Sequence, residues 1–129
     1  NVMINKYDKL LVNGKPGDVA TLKDMTKDFI IPKPGDETAP EVETKEIELI
    51  GNVMLSKGVV SLKNDRGTSY LMYISVQNEL ARAFNEMKDE MSLKYFGEHY
   101  ADLTDKDKID AINKAVPVRI SEAEPEEIK

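Results

Sequence analysis

Residues 58–84 read GVVSLKNDRGTSYLMYISVQNELARAF, which places an apolar run, a turn and the start of a helical pattern in direct succession. The run at 59–62 is short and rich in β-branched residues, which is typical of a strand buried on both faces. Turn residues at 64–67 (Asn-Asp-Arg-Gly) interrupt it, and Thr68 or Ser69 can cap the helix that follows. The sequence therefore predicts a strand, a tight turn and a helix.

The helix after Thr68 has the longest periodic pattern of the chain. About 26 residues at ~1.5 Å each give a rod near 40 Å, with Gly97 as its stop. Such a rod is longer than a compact domain of this size can cover, so we expect its second half to project or to pack against another subunit. Its inward positions recur at steps of three or four, and we interpret them as core or dimer packing and not as a ligand site. They are Tyr70, Tyr73, Ile74, Gln77, Leu80, Ala81, Phe84, Met87, Met91 and Tyr95.

The N-terminal segment predicts a hairpin followed by a helix. Apolar runs at 2–4 and 10–12 flank a polar tetrapeptide, as two antiparallel strands do. Turn residues at 13–17 (Asn-Gly-Lys-Pro-Gly) end the second strand. Asp18 is placed to cap a helix over residues 19–30, where apolar side chains fall on one face.

The middle of the chain is rich in proline and acidic residues. Residues 32–45 offer almost nothing to bury, which predicts a mobile surface loop. Apolar runs at 47–50 and 53–55 bracket Gly51-Asn52, which fits a tight hairpin at that dipeptide. A single bent strand running on to Gly58 fits the same residues.

The C-terminal part predicts a short helix and an edge strand. Thr104 and Asp107 form a capping-box pattern before a helix at 105–115, which Pro117 ends. An alternating strand follows, formed by Val118, Arg119, Ile120 and Ser121. Residues 122–129 are an acidic tail.

Composition and charge narrow the class of protein. The 129 residues are 40% hydrophobic, which fits one soluble domain over 1–129. A net charge of −6 argues against a nucleic-acid partner and against docking on anionic lipid by charge. The lack of cysteine excludes disulfides and thiolate sites and fits both cytosol and periplasm. Because Asn1 leads directly into an apolar run, we expect a piece of a longer protein.

No set of residues with catalytic spacing stands out. His99 is the lone histidine, in a polar loop, and we interpret it as a surface residue. The acidic run at 105–110 lacks the central glycine and final glutamate of a calcium loop. We therefore predict no enzyme activity, no cofactor and no metal. Asp65 has two interpretations, a cap of the following turn or helix and a contact for a partner. Tyr70 is expected to bury its ring with the hydroxyl at the surface.

Several segments in order resemble the periplasmic domain of the ExbD/TolR family of biopolymer transporters. Residues 4–22, with their Val-Asn-Gly-Lys turn, resemble its first strand, turn and helix. Residues 59–70 resemble its second buried strand, and within them Asp65 and Tyr70 match the family motif. Residues 118–121 correspond to the closing strand. The strings at 64–70 and 119–125 resemble the branch found in Bacteroidetes-type bacteria in particular.

The resemblance implies an α+β fold, with a small mixed sheet of four to five strands packed by two main helices. The helical patterns of this chain add an extended second helix and an extra short helix to that fold. It implies an energy-coupling protein without enzyme activity, held in the bacterial inner membrane by one upstream helix, with this piece in the periplasm. The implied partners are an ExbB-like membrane protein, a TonB-like protein and a second copy. Partner contacts are expected at Asp65, Tyr70 and the edge strand Val118, Arg119, Ile120 and Ser121. The alternative is a small-ligand-binding lobe of a periplasmic binding protein, which needs a concave apolar pocket.

Overall fold

The computed structural model describes residues 1–122, so the predicted acidic tail lies outside the described residues except for Glu122. Helices and strands form an α+β arrangement, which confirms the predicted fold class, including the long second helix and the short third one. The elements are β1 (Val2–Ile4), β2 (Leu10–Val12), β3 (Lys15–Pro16), α1 (Val19–Ile30), β4 (Val42–Ile47), β5 (Gly51–Ser56), β6 (Val60–Asn64), α2 (Tyr70–Phe96), α3 (Lys106–Ala115) and β7 (Ile120–Glu122).

The chain divides into two compact units. The first comprises Asn1–Thr26, Val59–Arg82 and residues 119–122, and the second comprises Lys27–Gly58 and Ala83–Val118. Helices α1 and α2 each contribute residues to both units. Within residues 1–122, no helix combines the length and the apolar composition needed to cross a membrane.

A five-stranded mixed sheet in the order β3-β2-β1-β6-β7 forms the first unit. Strands β1 and β2 are antiparallel, which confirms the predicted N-terminal hairpin. Strand β6 runs parallel to both β1 and β7. The sheet and the helical residues of this unit share a core made of Val2, Ile4, Leu10, Leu22, Val60, Leu62, Val76 and Leu80.

The predicted burial of β6 on both faces is wrong. Val60 and Leu62 are buried, whereas Ser61 between them is exposed, and so is Val59, which lies just before the strand. This alternation means that only one face of the strand is covered. A central strand in a sheet of this kind needs apolar residues at every second position only.

Both long helices begin and end as predicted. The Asp18 carboxylate accepts a hydrogen bond from the Ala20 amide at 2.9 Å, which caps α1. The Ser69 hydroxyl accepts from the Met72 amide at 3.1 Å, so Ser69 and not Thr68 caps α2. Gly97 has φ +70° directly after α2, the left-handed conformation that stops a helix at little cost.

The second half of α2 does not project. Ala83, Phe84 and Ser92 are fully or almost fully buried, and Ser92 donates to the Glu98 carbonyl at 2.6 Å. The prediction that this half projects is wrong, because these side chains are buried within the second unit. Packing against another subunit stays a prediction. The buried face is also rotated from the predicted one, since Ala81 is exposed. The core of this unit contains Ile47, Val53, Leu55, Phe84, Leu103, Ile112 and Val116.

The second unit contains the β4–β5 hairpin, and its turn is displaced from the predicted dipeptide. The register runs from Val42↔Ser56 to Ile47↔Gly51, so residues 48–50 form the turn. Gly51 at φ +93° and Leu49 at φ +72° close it. Because two paired strands form here, the alternative prediction of a single bent strand is wrong. The hairpin also corrects the predicted loop at 32–45, because the last four residues of that loop belong to β4.

The short helix α3 is capped by Asp105 and not by Thr104. The Asp105 carboxylate accepts from the Asp107 amide at 2.9 Å, as a helix N-cap does. The predicted range of 105–115 otherwise agrees with the observed helix. Its buried side chains are Ala111, Ile112 and Ala115.

Candidate functional site

Asp65 lies where β6 ends and organises the turn that follows. Its amide donates to the Ile4 carbonyl at 2.9 Å, and its carbonyl accepts from the Thr68 amide at 3.0 Å. One carboxylate oxygen accepts from the Gly67 amide at 2.7 Å. The side chain is buried. Of the two interpretations of Asp65, capping of the turn is therefore confirmed, and contact with a partner stays a prediction.

Two further contacts join this turn to the loop between β1 and β2. The Thr68 hydroxyl donates to the carbonyl oxygens of Ile4 and Asn5 at 3.2 and 3.0 Å. The Ser69 amide donates to the Asp8 carboxylate at 2.8 Å. Hydrogen bonds from the Ser69 backbone and side chain lower the pKa of Asp8 below its usual value, so the carboxylate stays charged at neutral pH. Two segments distant in sequence thus form one connected surface of the first unit.

Tyr70 is exposed, contrary to the expected burial of its ring. It is the first residue of α2, and 78% of its surface is in solvent. The buried stripe of the first half passes through Val76 and Leu80. Tyr70 precedes Val76 by six residues, so the two side chains lie about 120° apart around the helix axis. Leu71 is 76% exposed, so two large apolar side chains begin the helix in solvent.

The predicted edge strand forms, but it starts two residues later. Strand β7 begins at Ile120, and Val118 precedes it with 53% of its surface exposed. The strand pairs with β6 and is the last in the sheet order, so its predicted position at an edge is confirmed. Among residues 1–122, no strand pairs with its outer side. The opposite edge is β3, two residues long, where Pro16 has no amide to donate.

Register decides which backbone groups of β7 face outward. The Val60 amide donates to the Arg119 carbonyl at 2.9 Å. In a parallel ladder the bonded groups alternate along the strand, so the N–H and C=O of Ile120 point away from β6. Ile120 is half-buried and Ser121 is exposed. We call the outward backbone of Ile120–Glu122 the β7 edge.

Glu122 is a site residue that the sequence reading missed. Its carboxylate accepts hydrogen bonds from the Tyr73 hydroxyl at 3.2 Å and from the Gln77 amide group. Gln77 also donates to the Tyr73 hydroxyl at 2.8 Å. Burial and the nearby Glu122 charge raise the pKa of Tyr73, which keeps it protonated as a donor. The cluster ties the end of β7 to α2, and its only sequence signal is the four-residue spacing of Tyr73 and Gln77.

The lone histidine is exposed, as predicted, and its side chain contacts that of Asp89. His99 Nδ1 lies 3.0 Å from each carboxylate oxygen of Asp89. The hydrogen bond to Asp89 and its charge raise the pKa of His99, and the same hydrogen bond lowers the pKa of Asp89. Asp89 also accepts from the Tyr100 amide at 2.9 Å. The pair fastens the segment after α2.

Within the described part of the chain, no three histidine or acidic side chains converge in a way that could hold a metal ion. The chain matches no protein-family model, and no match was found among curated proteins or among solved structures.

Proposed function

We propose that this chain is the periplasmic interaction domain of an ExbD/TolR-type protein, which passes movement to a partner through a docked, extended segment. The observation that carries this proposal is the β7 edge, where the Ile120 N–H and C=O face outward at the end of the sheet. An edge of this kind accepts a further strand by main-chain hydrogen bonds. Binding of a segment requires no catalytic residue.

The length of β7 sets the strength of such docking. Three residues give two or three hydrogen bonds, each worth about 0.5–1.5 kcal/mol net. Weak and reversible binding suits a protein that has to engage and release its partner in each cycle. The hydrogen bonds among Tyr73, Gln77 and Glu122 support the strand. A strand through which a docked partner transmits force has to be anchored to its domain.

The proposal includes the wider complex of this family. An ExbB-like membrane protein holds the single upstream helix, and the aspartate of that helix carries the proton. A TonB-like protein supplies the extended segment, and a second copy of the chain completes a homodimer in the inner membrane. Two features support this reading: the sequence strings that resemble the family, and an α+β domain with the expected order of elements. Coding sequence upstream of Asn1 that encodes about 20 apolar residues with one aspartate would be consistent with it.

The test uses two variants at one position. Ile120→Pro removes the outward N–H, whereas Ile120→Ala keeps it and removes most of the side chain. Overlapping peptides from the periplasmic part of the TonB-like protein of the same organism are titrated against each variant. We expect one peptide to bind wild type and Ile120→Ala and to lose most of its affinity for Ile120→Pro. Equal binding to both variants, or binding of no such peptide, would contradict the proposal.

A further inference from the structure

The β4–β5 hairpin of the second unit carries a longer open strand than β7. Strand β5 (Gly51–Ser56) pairs with β4 on one side, and among residues 1–122 no strand pairs with its other side. The Lys57 amide donates to the Glu41 carbonyl at 2.7 Å, so the odd-numbered residues of β5 bond to β4. The N–H and C=O of Asn52 and Met54 therefore point away from β4. We call these four groups the β5 edge.

Strand β5 lacks the features with which proteins protect open strands. Short length, lysine, proline and bulges all discourage pairing with another chain. Strand β3 has two residues and contains Pro16, and strand β7 has three residues. Strand β4 carries Glu43, Lys45 and Glu46. Strand β5 has six residues without a charge or a proline, and its register with β4 is continuous, which makes it a site for strand addition.

The β5 edge is complementary to itself in an antiparallel register. When Val53 of each copy lies on a two-fold axis, Asn52 of one copy is opposite Met54 of the other, and the same pair recurs across the axis. Each pair exchanges two hydrogen bonds, which gives four in total. Met54 is 48% exposed, and in this register its side chain lies beside Asn52 of the second copy.

This register brings opposite charges together at both of its ends. Glu48 lies in the hairpin turn, and Lys57 follows the other end of β5. Strand β5 separates the two residues by about 20 Å within one copy. Antiparallel pairing places the turn of each copy beside Lys57 of the other. Lys57 also has an exposed ion pair with Glu41, at 3.9 Å, and its ammonium group has donors for a second carboxylate.

The other charges of the hairpin do not oppose this pairing. Glu43, Lys45 and Glu46 all belong to β4. In the paired state the two β4 strands are three strand spacings apart, about 14 Å. Salt at physiological concentration screens charges beyond about 8 Å. The whole chain carries −6, which opposes contact between its acidic surfaces, and the uncharged β5 edge avoids that repulsion.

We propose that two copies of the chain associate through their β5 edges and form one four-stranded antiparallel sheet across a two-fold axis. The second copy is part of the proposed function, and in naming its surface this inference rests on that function. The register and the charges come from the hairpin alone. A dimer through β5 in a chain that binds no TonB-like peptide would support this inference and contradict the proposed function.

Sedimentation equilibrium of the purified chain over a range of concentrations, at physiological salt, measures the association. Met54→Pro removes an outward N–H without breaking a bond to β4, and we expect it to weaken dimerisation about tenfold or more. The matched control is Thr44→Pro, at the position opposite Met54 in the hairpin, where the N–H faces away from β5. This control should leave dimerisation unchanged. Urea midpoints verify that each variant is folded.

A charge swap tests the same pairing without a change in the strand, and it decides the question if Met54→Pro does not fold. Glu48→Lys and Lys57→Glu each place like charges together at both ends of the dimer, and each should weaken association about threefold or more. The double variant restores opposite charges and should recover most of the wild-type affinity. Because the two residues do not meet within one copy, this recovery reports contact between copies.

Amide exchange and the β7 variant separate this proposal from its competitors. Exchange at Met54 should slow as the protein concentration rises, whereas exchange at Thr44 should not, and Ile120→Pro should dimerise as wild type does. The proposal is overturned by a chain that stays monomeric at every concentration, by equal losses in Met54→Pro and Thr44→Pro, by a double charge reversal that recovers no affinity, or by loss in Ile120→Pro. It is also overturned if TonB-like peptides bind Ile120→Pro and not Met54→Pro, since that partner then occupies the β5 edge.

Discussion

The Val60 amide and the Arg119 carbonyl are joined by a hydrogen bond of 2.9 Å, and this bond fixes the direction of every backbone group in β7. Because it points the Arg119 carbonyl inward, the N–H and C=O of Ile120 point outward. The sheet therefore ends in a short, correctly oriented edge. Its other end is β3, where Pro16 removes a donor.

Replacing Asp65 should destabilise the domain through the turn after β6. Asp65→Ala leaves the Gly67 amide without the carboxylate it now bonds at 2.7 Å. We expect a loss of about 1–3 kcal/mol in the free energy of unfolding, measured in urea. Asp65→Asn keeps an acceptor oxygen and should lose less. Equal losses in the two variants would show that hydrogen bonding by this side chain does not govern the turn.

His99 should give the stability a pH dependence of known sign. The pKa of His99 in the folded protein is raised above the ordinary 6.5. Protonated His99 therefore stabilises the folded protein fully below pH 6.5, and this stabilisation is lost as the pH rises through the folded pKa. The pKa of Asp89 is lowered from 3.8, so its contribution is present above 3.8 and is lost as the pH falls through its folded pKa. The difference in Tm between wild type and His99→Gln should therefore be largest near pH 5 and should shrink toward pH 8.

The same pair can be read directly by NMR, because His99 is the only histidine of the chain. Its imidazole should titrate above 6.5, and Asp89→Asn should bring the midpoint back toward 6.5. A wild-type midpoint at or below that value would be evidence that the ion pair does not form in solution.

Removing the Glu122 carboxylate should loosen β7. Glu122→Ala deletes the acceptor of Tyr73 and Gln77, which together tie the strand to α2. A loss of about 1 kcal/mol in local stability corresponds to roughly fivefold faster amide exchange at Ser121. Glu48→Ala, at the exposed turn of the second unit, serves as the control and should leave that rate unchanged. If both variants exchange at the wild-type rate, the cluster does not anchor the edge.

The helices could be predicted from sequence because their signals are local. Capping groups at Asp18 and Ser69, the stop at Gly97 and regular apolar spacing lie within a few residues of the structure that they determine. The N-terminal hairpin was predictable for the same reason. In each case the deciding residues are neighbours in the chain.

The remaining features depend on contacts between distant residues. The turn at 48–50 places Leu49 in a left-handed conformation that leucine rarely adopts, so propensity directs attention to Gly51-Asn52 instead. The exposure of Tyr70 depends on which face of α2 the sheet covers. Glu122 looks like the first residue of an acidic tail until the fold brings it to Tyr73. No local pattern contains this information.

Amide hydrogen exchange at Ile120, followed residue by residue, tests the docking role of β7 most directly. In the free protein the Ile120 amide should exchange quickly while the Ser121 amide, which faces β6, is protected. Adding the partner segment should slow exchange at Ile120 and leave Ser121 nearly unchanged. A segment that binds without any slowing at Ile120 would contradict docking by strand addition at this edge.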